Sequence, residues 1–245
     1  MEAAEYARLE ATEDGMWWFA ALHARMLDAV ARHPGPPDLP LLDAGCGTGG
    51  LLRRLAAAFP ARPLLGVDIA PAAATAARRR SPVPVAVASV TALPFAAGSL
   101  GGVLMADVLC HRLVDEEKAL AEAARVLAPG GTLVLNLPAF AWLLSTHDIR
   151  VHNVRRYDRR RAGELLVRAG FEIRELRFWN SLLFPLMVLQ RKVLARGEAA
   201  ESDVAPVTAP LDRLLRGVVG IERLLAGLGV RFPFGGSILA VAVKR

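Results

Sequence analysis

From Leu41 to Gly50 the chain reads Leu-Leu-Asp-Ala-Gly-Cys-Gly-Thr-Gly-Gly, an apolar strand that meets a carboxylate and then a glycine-rich turn opening a helix. Glycine has no Cβ and takes positive φ without strain, so Gly45, Gly47 and Gly49 let the backbone bend sharply and lie directly against a ligand. Such a turn at a strand end is a cradle for a nucleoside-bearing cofactor. Gly45, Gly47 and Gly50 also satisfy the literal G-x-G-x-x-G pattern, which points to a nicotinamide-dependent oxidoreductase. The pattern alone does not separate these readings; the flanking chemistry does.

Asp43 stands at the end of the strand, where a carboxylate attracts a cationic amino-acid group and repels a pyrophosphate. The next apolar run ends in Asp68, 23 residues past Gly45, close to the spacing of about 20 at which a ribose-binding acid stands in dinucleotide folds. Apolar runs near 40–44, 63–68, 84–88, 101–106 and 132–137 alternate with helical patterns near 49–58, 71–80 and 115–127, which is the order of a parallel α/β sheet. Ala128-Pro129-Gly130-Gly131 reads as a helix stop and turn before the strand that starts at Thr132. An amphipathic helix over 17–32, closed by His33-Pro34-Gly35-Pro36-Pro37, precedes the alternation. After it come a helix near 158–169, a strand from Phe171 to Phe178, and helices near 181–195 and 211–227. A polar stretch from Gly197 to Pro210, read as a mobile surface loop, separates those two helices, and a strand from Ser237 to Val243 ends the chain.

On these residues, positions 38–138 resemble a class I S-adenosylmethionine (SAM)-dependent methyltransferase of the broad small-molecule group called type 11. The resemblance implies a Rossmann-like, doubly wound α/β fold: a mostly parallel seven-stranded sheet, helices on both faces, and a helical cap or C-terminal insertion. It divides one domain into a cap helix over 1–37, a SAM-binding core over 38–138, a substrate loop and helical lid over 139–235, and a final strand over 236–245. Residue by residue it implies cofactor contacts from Asp43, Gly45, Cys46, Gly47 and Gly49, ribose recognition by Asp68 and adenine contact from Ile69. Ser89, Val90, Met105, Ala106 and Asp107 complete the implied cofactor set, and Asp107 and His111 follow the fourth strand, where many relatives face the reaction chamber. Leu93-Pro94-Phe95 matches the family's L-P-F. The acid that often precedes it and touches the adenine amino group is replaced by Ala88-Ser89, which leaves Ser89 as the polar group there.

The stretch from Ser145 to Tyr157 follows the fifth strand, at the sheet edge where open α/β folds bind ligands. With Trp17-Trp18-Phe19 it resembles a bacterial methyltransferase subgroup that carries W-W-F and H-D, H and R-R-Y segments. His147, His152 and His111 are the candidate bases, because imidazole accepts a proton near neutral pH. Arg155 and Arg156 suit bidentate capture of a carboxylate or phosphate, with Tyr157, Trp17 and Trp18 as further candidate substrate contacts. A structural alternative stands beside this one: Asp148 and Arg156 lock the loop as an ion pair, while the tryptophans staple the first helix to the sheet. The spacing of His147, Asp148 and His152 matches no metal-ligand pattern, so no metal is expected.

A net charge of +6 and a pI near 10.1 raise nucleic acid as a partner. Almost all the cations are arginine, the only lysines being Lys118, Lys192 and Lys244, and the arginine clusters at 78–80 and 150–161 lack the aromatic interleaving that stacks bases, so no nucleic-acid partner is expected. Cys46 and Cys110 form no disulfide framework, and no leader or spanning segment is apparent, so the chain reads as cytoplasmic. Residues 182–195 and 211–228 carry apolar faces bordered by Arg191, Lys192, Arg196, Arg213, Arg216 and Arg223, suited to the inner membrane face or to a homodimer. The expected activity is methyl transfer from SAM to a small-molecule acceptor, a specialised metabolite or a lipid- or glycan-linked compound, with oxygen the expected acceptor atom and S-adenosylhomocysteine the product. N- or C-methylation, hydride transfer and a non-catalytic SAM-binding scaffold are the alternatives.

Overall fold

The computed structural model describes residue 10, residues 12–191 and residues 208–245. Helix α1 (Trp17–Arg32) buries Ala21, Leu22, Met26, Ala29 and Val30, an apolar stripe at helical spacing. It ends where Arg32 and His33 each reach Glu175 at 2.9 Å, immediately before the proline-rich breaker. The chain then runs β1 (Leu41–Ala44), α2 (Gly50–Ala58), β2 (Leu64–Asp68), α3 (Pro71–Arg80), β3 (Val85–Val87), β4 (Leu100–Ala106), α4 (Glu116–Val126) and β5 (Leu127–Pro138). A short 3-10 turn (Ala141–Leu143) leads to α5 (Thr146–Arg150), α6 (Arg159–Arg168), β6 (Phe171–Trp179), α7 (Phe184–Leu189), α8 (Ala209–Gly227) and β7 (Ser237–Lys244).

Seven strands form one sheet in the order β3-β2-β1-β4-β5-β7-β6. Strand β7 runs antiparallel to both β5 and β6, while the other pairs are parallel. Alternation along the strands splits the core between two faces. On one face Leu42, Val103, Leu133, Leu135 and Ile238 pack with Leu120 and Val126 of α4 and Leu165 of α6. On the other, Leu41, Leu104, Val134, Leu239 and Val241 meet Met26 of α1, Leu52 of α2, Ala77 of α3 and Val219 of α8. The fold is therefore the Rossmann-like class I methyltransferase architecture, and β1 and β4 lie side by side at the point where the strand order reverses.

Three local expectations change. Strand β5 begins at Leu127 instead of Thr132: Leu127 pairs with Leu100, and the register then slips to Gly102 with Thr132. Gly130 takes φ 75° within this run, so Ala128 to Gly131 form a bulge inside the strand where a stop and turn were expected. The stretch after β5, expected as loop, winds into the 3-10 turn and α5. Helix α7 (Phe184–Leu189) starts three residues later than the expected 181 and continues as a π-turn at 190–191. The rest of the expected helix lies outside the described residues, as does the expected loop from Gly197 up to 207, and α8 is already under way at Pro210.

Candidate cofactor cradle and acceptor edge

The glycine turn leaves β1 at the reversal point. Gly45 and Cys46 donate to the Val67 carbonyl at 2.8 and 2.9 Å, which ties the turn to β2. Gly49 sits at φ 86°, and a Cβ there would lie 2.9 Å from Cα of Ala77, so an L side chain meets both strain and the α3 backbone. Asp68 spans the same gap from the other side: Oδ2 accepts from the Gly47 amide and Oδ1 from the Ala70 amide, each at 2.9 Å. Burial raises its carboxyl above the usual range against the opposing pull of these two bonds.

Asp43 is 2% exposed, and its Oδ2 has no hydrogen-bond partner. Burial, reinforced by the Glu13 and Asp68 carboxylates, pushes its carboxyl up to about 8. A buried carboxyl oxygen without a partner costs about 1–3 kcal/mol, a cost that a donor or cation placed beside Oδ2 would offset. The same concentration of acid disfavours a pyrophosphate.

Glu13 is the site residue that sequence reasoning missed. It is 6% exposed and accepts from Thr48 Oγ1 at 2.6 Å and from Arg80 Nη1 at 2.8 Å, with Arg80 also donating to the Thr48 carbonyl at 3.0 Å. A Cβ on Gly50 would fall 2.1 Å from the Glu13 carboxyl carbon, so the glycine at the helix start makes room for this acid. Glu13 lies in a polar segment without periodicity, and Arg80 belongs to an arginine triplet that reads as surface charge. The other two arginines of that triplet are also engaged within the protein, Arg78 on the Val85 carbonyl and Arg79 beside Glu10. His23 lies 3.8 Å from Glu13, and its imidazole is lowered to about 3, chiefly by burial and then by Arg54.

Strand β4 delivers Asp107 to the same edge at φ 55°, a left-handed conformation held by its amide bond to the Asn136 carbonyl at 3.0 Å. Trp179 Nε1 donates to Asn136 Oδ1 at 2.7 Å, and Asn136 Nδ2 donates to Asp107 Oδ1 at 2.9 Å. Because indole nitrogen only donates, Trp179 fixes which end of Asn136 faces the acid. Burial lifts the Asp107 carboxyl to about 7, against the opposing pull of the Asn136 bond. The other implied contacts divide by burial. Met105, Val90 and Cys46 are core side chains, so only their main chain is available to a ligand. Ile69 is 57% exposed beyond β2, and Ser89 bonds Thr91 at 2.8 Å.

The loop after β5 differs from the expectation of free cations. Arg156 is 5% exposed and grips both carboxylate oxygens of Asp148 at 2.8 to 3.2 Å, while Nη1 donates to the Ala139 carbonyl at 3.0 Å. Its donors are consumed by the protein, so it closes the loop instead of presenting a fork to an anion. Burial acts to raise the Asp148 carboxyl, but Arg156 and Arg191 outweigh it and hold the group below the usual range. Tyr157 is fully buried, its hydroxyl 2.9 Å from Glu116 and 3.0 Å from the Leu109 carbonyl. Arg155 donates to the His111 and Val114 carbonyls at 2.9 and 2.7 Å. These bonds bring His111 and His152 together, with ring centroids 5.8 Å apart. Burial lowers the His111 imidazole to about 4. His147 falls within α5, and its side chain lies outside the described residues. Trp18 packs 6.2 Å from Trp179, and the Trp17 amide donates to Asp212 of α8, so the tryptophans join α1 to the sheet edge and to α8. Among the described residues no group of three or more His, Cys, Asp or Glu is placed to hold a metal, and no helix is long and apolar enough to cross a membrane.

A nucleoside with a cationic amino-acid tail fits these residues: an orphaned acid at one strand end, a bridging acid at the next, and a turn whose glycines exclude side chains. Fold and cradle together define the class I SAM-dependent methyltransferases. Residues 42–135 match the family model described as a methyltransferase domain, so this core of the chain resembles that family. An uncharacterized 37.1 kDa protein of a Streptomyces fradiae transposon is 37% identical over 156 residues, 62% of this chain and 44% of that protein. A malonyl-[acyl-carrier protein] O-methyltransferase of Methylococcus capsulatus is 38% identical over 114 residues, covering 44% of this chain and 40% of that one. The alignments thus span less than half the length of these curated relatives. A SAM-dependent methyltransferase structure from Thermotoga maritima superposes with a TM-score of 0.61 at 22% identity, covering 99% of this chain and 95% of its own, a likeness of fold.

Proposed function

We propose that the protein transfers the methyl group of SAM to an oxygen of a small-molecule acceptor. The observation that carries the reading is the buried, unpartnered Oδ2 of Asp43, flanked by Glu13 and Asp68, at the mouth of the glycine turn. When bound, SAM supplies an electrophilic methyl group. Asp43 serves its cationic amino-acid end, Asp68 its ribose hydroxyls, Ile69 and Ser89 its adenine. Oxygen is supported by the O-methyltransferase among the relatives and by a proton acceptor at the β4 exit. With a carboxyl near 7, Asp107 is about half ionised at neutral pH and is suited to take a hydroxyl proton. At about 4, the His111 imidazole is neutral there and a much weaker base, so His111 and His152 serve to shape the acceptor side.

Calorimetric titration with SAM, S-adenosylhomocysteine and NADH tests the cofactor, and release of S-adenosylhomocysteine on a panel of hydroxylated and carboxylated acceptors tests the reaction. SAM and its product are expected to bind, and NADH is not. Asp107→Asn is expected to retain SAM binding while turnover on a hydroxyl acceptor falls about 10²- to 10⁴-fold. NADH binding more tightly than SAM ends this reading.

A further inference from the structure

We propose that the face formed by α7, α8 and residues 228–234 docks on the surface of an anionic lipid bilayer. Ten of the 18 exposed large apolar side chains among the described residues lie between Leu182 and Leu189 or between Leu211 and Phe234. Such a concentration on a small part of the chain exceeds the scatter of single apolar residues on ordinary surfaces.

The geometry makes the patch continuous. On α8, Arg216 and Arg223 turn toward the N-terminal side, to the Gly15 carbonyl and to Asp28 of α1. The helical repeat places Leu214, Ile221 and Leu228 on the opposite flank, where they are 57 to 75% exposed. Glu222 of α8 accepts from the amides of Asn180, Ser181 and Leu182, and Phe184 of α7 packs tilted against Phe234 with ring centroids 5.3 Å apart. Trp142, 51% exposed, meets Phe184 edge-on at 6.2 Å and extends the patch with an aromatic of the kind favoured at a bilayer interface.

Charge selects the occupant. Arg213 and Arg231 are exposed beside the apolar residues, and among the described residues neither is ion-paired to a carboxylate. The acids of α8 are both engaged, Asp212 with Arg216 and the Trp17 amide, Glu222 with Arg25 and the turn before α7. Among the described residues the face is therefore apolar with a cationic rim, complementary to anionic headgroups. A second copy docked by two-fold symmetry would bring together two faces that carry the same cationic rim and offer it no complementary acids among the described residues.

Cosedimentation of the full chain with phosphatidylcholine vesicles, with and without 30% phosphatidylglycerol by roughly the composition of an anionic leaflet, tests the proposal. Binding is expected only with phosphatidylglycerol, and is expected to fall with added salt. Leu214→Ser with Ile221→Ser should weaken it at least about tenfold, and each of Arg213→Gln and Arg231→Gln about fivefold. SAM titration of the same variants should match the parent, which separates this result from the cofactor reading. Equal sedimentation with both vesicle types, or none, overturns the proposal. So does a dimer by light scattering that the leucine variants dissolve while vesicles stay unbound.

Discussion

Single carboxylates carry most of what is chemical about this protein. Asp68 holds both the glycine turn and the start of α3 through amide bonds, and each oxygen retains a lone pair for a ligand hydroxyl. Asp68→Ala is expected to weaken SAM binding by about 1–3 kcal/mol, roughly 5- to 150-fold in Kd, measured by calorimetry. Asp43 makes a pH prediction. Its folded-state carboxyl sits near 8, well above the ordinary value of about 3.9, so the folded apo-protein holds a proton there that the unfolded chain releases. This contribution opposes folding progressively as pH rises from about 4 toward 8. A cation bound beside Asp43 favours the ionised form, so SAM affinity should climb between about pH 5 and 7.5 as the proton to be expelled becomes easier to lose. The slope should be absent in Asp43→Asn; an unchanged slope would show that another group titrates.

Among the elements, the loop from Ser145 to Tyr157 shows how one ion pair decides what a segment can do. Arg156 and Asp148 are both at most 5% exposed, and Ser145 adds its amide and hydroxyl to the same Asp148 oxygen at 2.9 and 3.0 Å. Removing one member of a buried pair leaves the other charged and unsolvated. Arg156→Ala should therefore lower stability by about 3–5 kcal/mol in urea unfolding, with turnover lost only as the folded fraction falls. His152→Ala should leave the unfolding midpoint within about 0.5–1 kcal/mol of the parent while slowing turnover, since its ring sits beside His111 at the acceptor side. Equal losses of stability in both variants would refute this division. Because Asp148 is held below the usual range, the stability it supplies is complete above that range and fades as pH falls through it.

At the scale of the whole molecule, one buried acid joins distant parts of the chain. Glu222 is 1% exposed, pairs with Arg25 of α1 at 3.1 Å and accepts three amides of the turn between β6 and α7 at 2.6 to 2.9 Å. Arg25 in turn lies 4.6 Å over the Trp179 ring, whose nitrogen orients Asn136 toward Asp107. The cap helices thus reach Asp107 through contiguous contacts. Glu222→Ala should cost about 3–5 kcal/mol by leaving Arg25 buried without its partner. Glu222→Gln keeps the volume but loses the charge and should cost less; identical losses would show that packing, and not the charged network, holds α8 in place.

Periodicity and turn chemistry made the sheet legible before any contact was known. The alternation of apolar runs placed β1 to β4, β6 and β7 within a residue or two, the breaker after His33 ended α1 at Arg32, and the acids at the ends of β1 and β2 were visible as residues 43 and 68. These features are local: each is set by neighbours a few positions away. The start of β5 was missed because a glycine at positive φ serves a bulge as well as a turn, and only the pairing with β4 distinguishes them. Glu13 was invisible because its partners, Thr48 and Arg80, stand 35 and 67 residues away. The same holds for Arg25 with Glu222, separated by 197 positions, and for Trp179 with Asn136, separated by 43. Which polar groups are consumed inside the protein, and which remain open to a ligand, depends on burial and long-range pairing. Local pattern determined the strands and the glycine cradle; only the tertiary structure decided that Arg156 closes a loop while Asp43 keeps an oxygen without a partner.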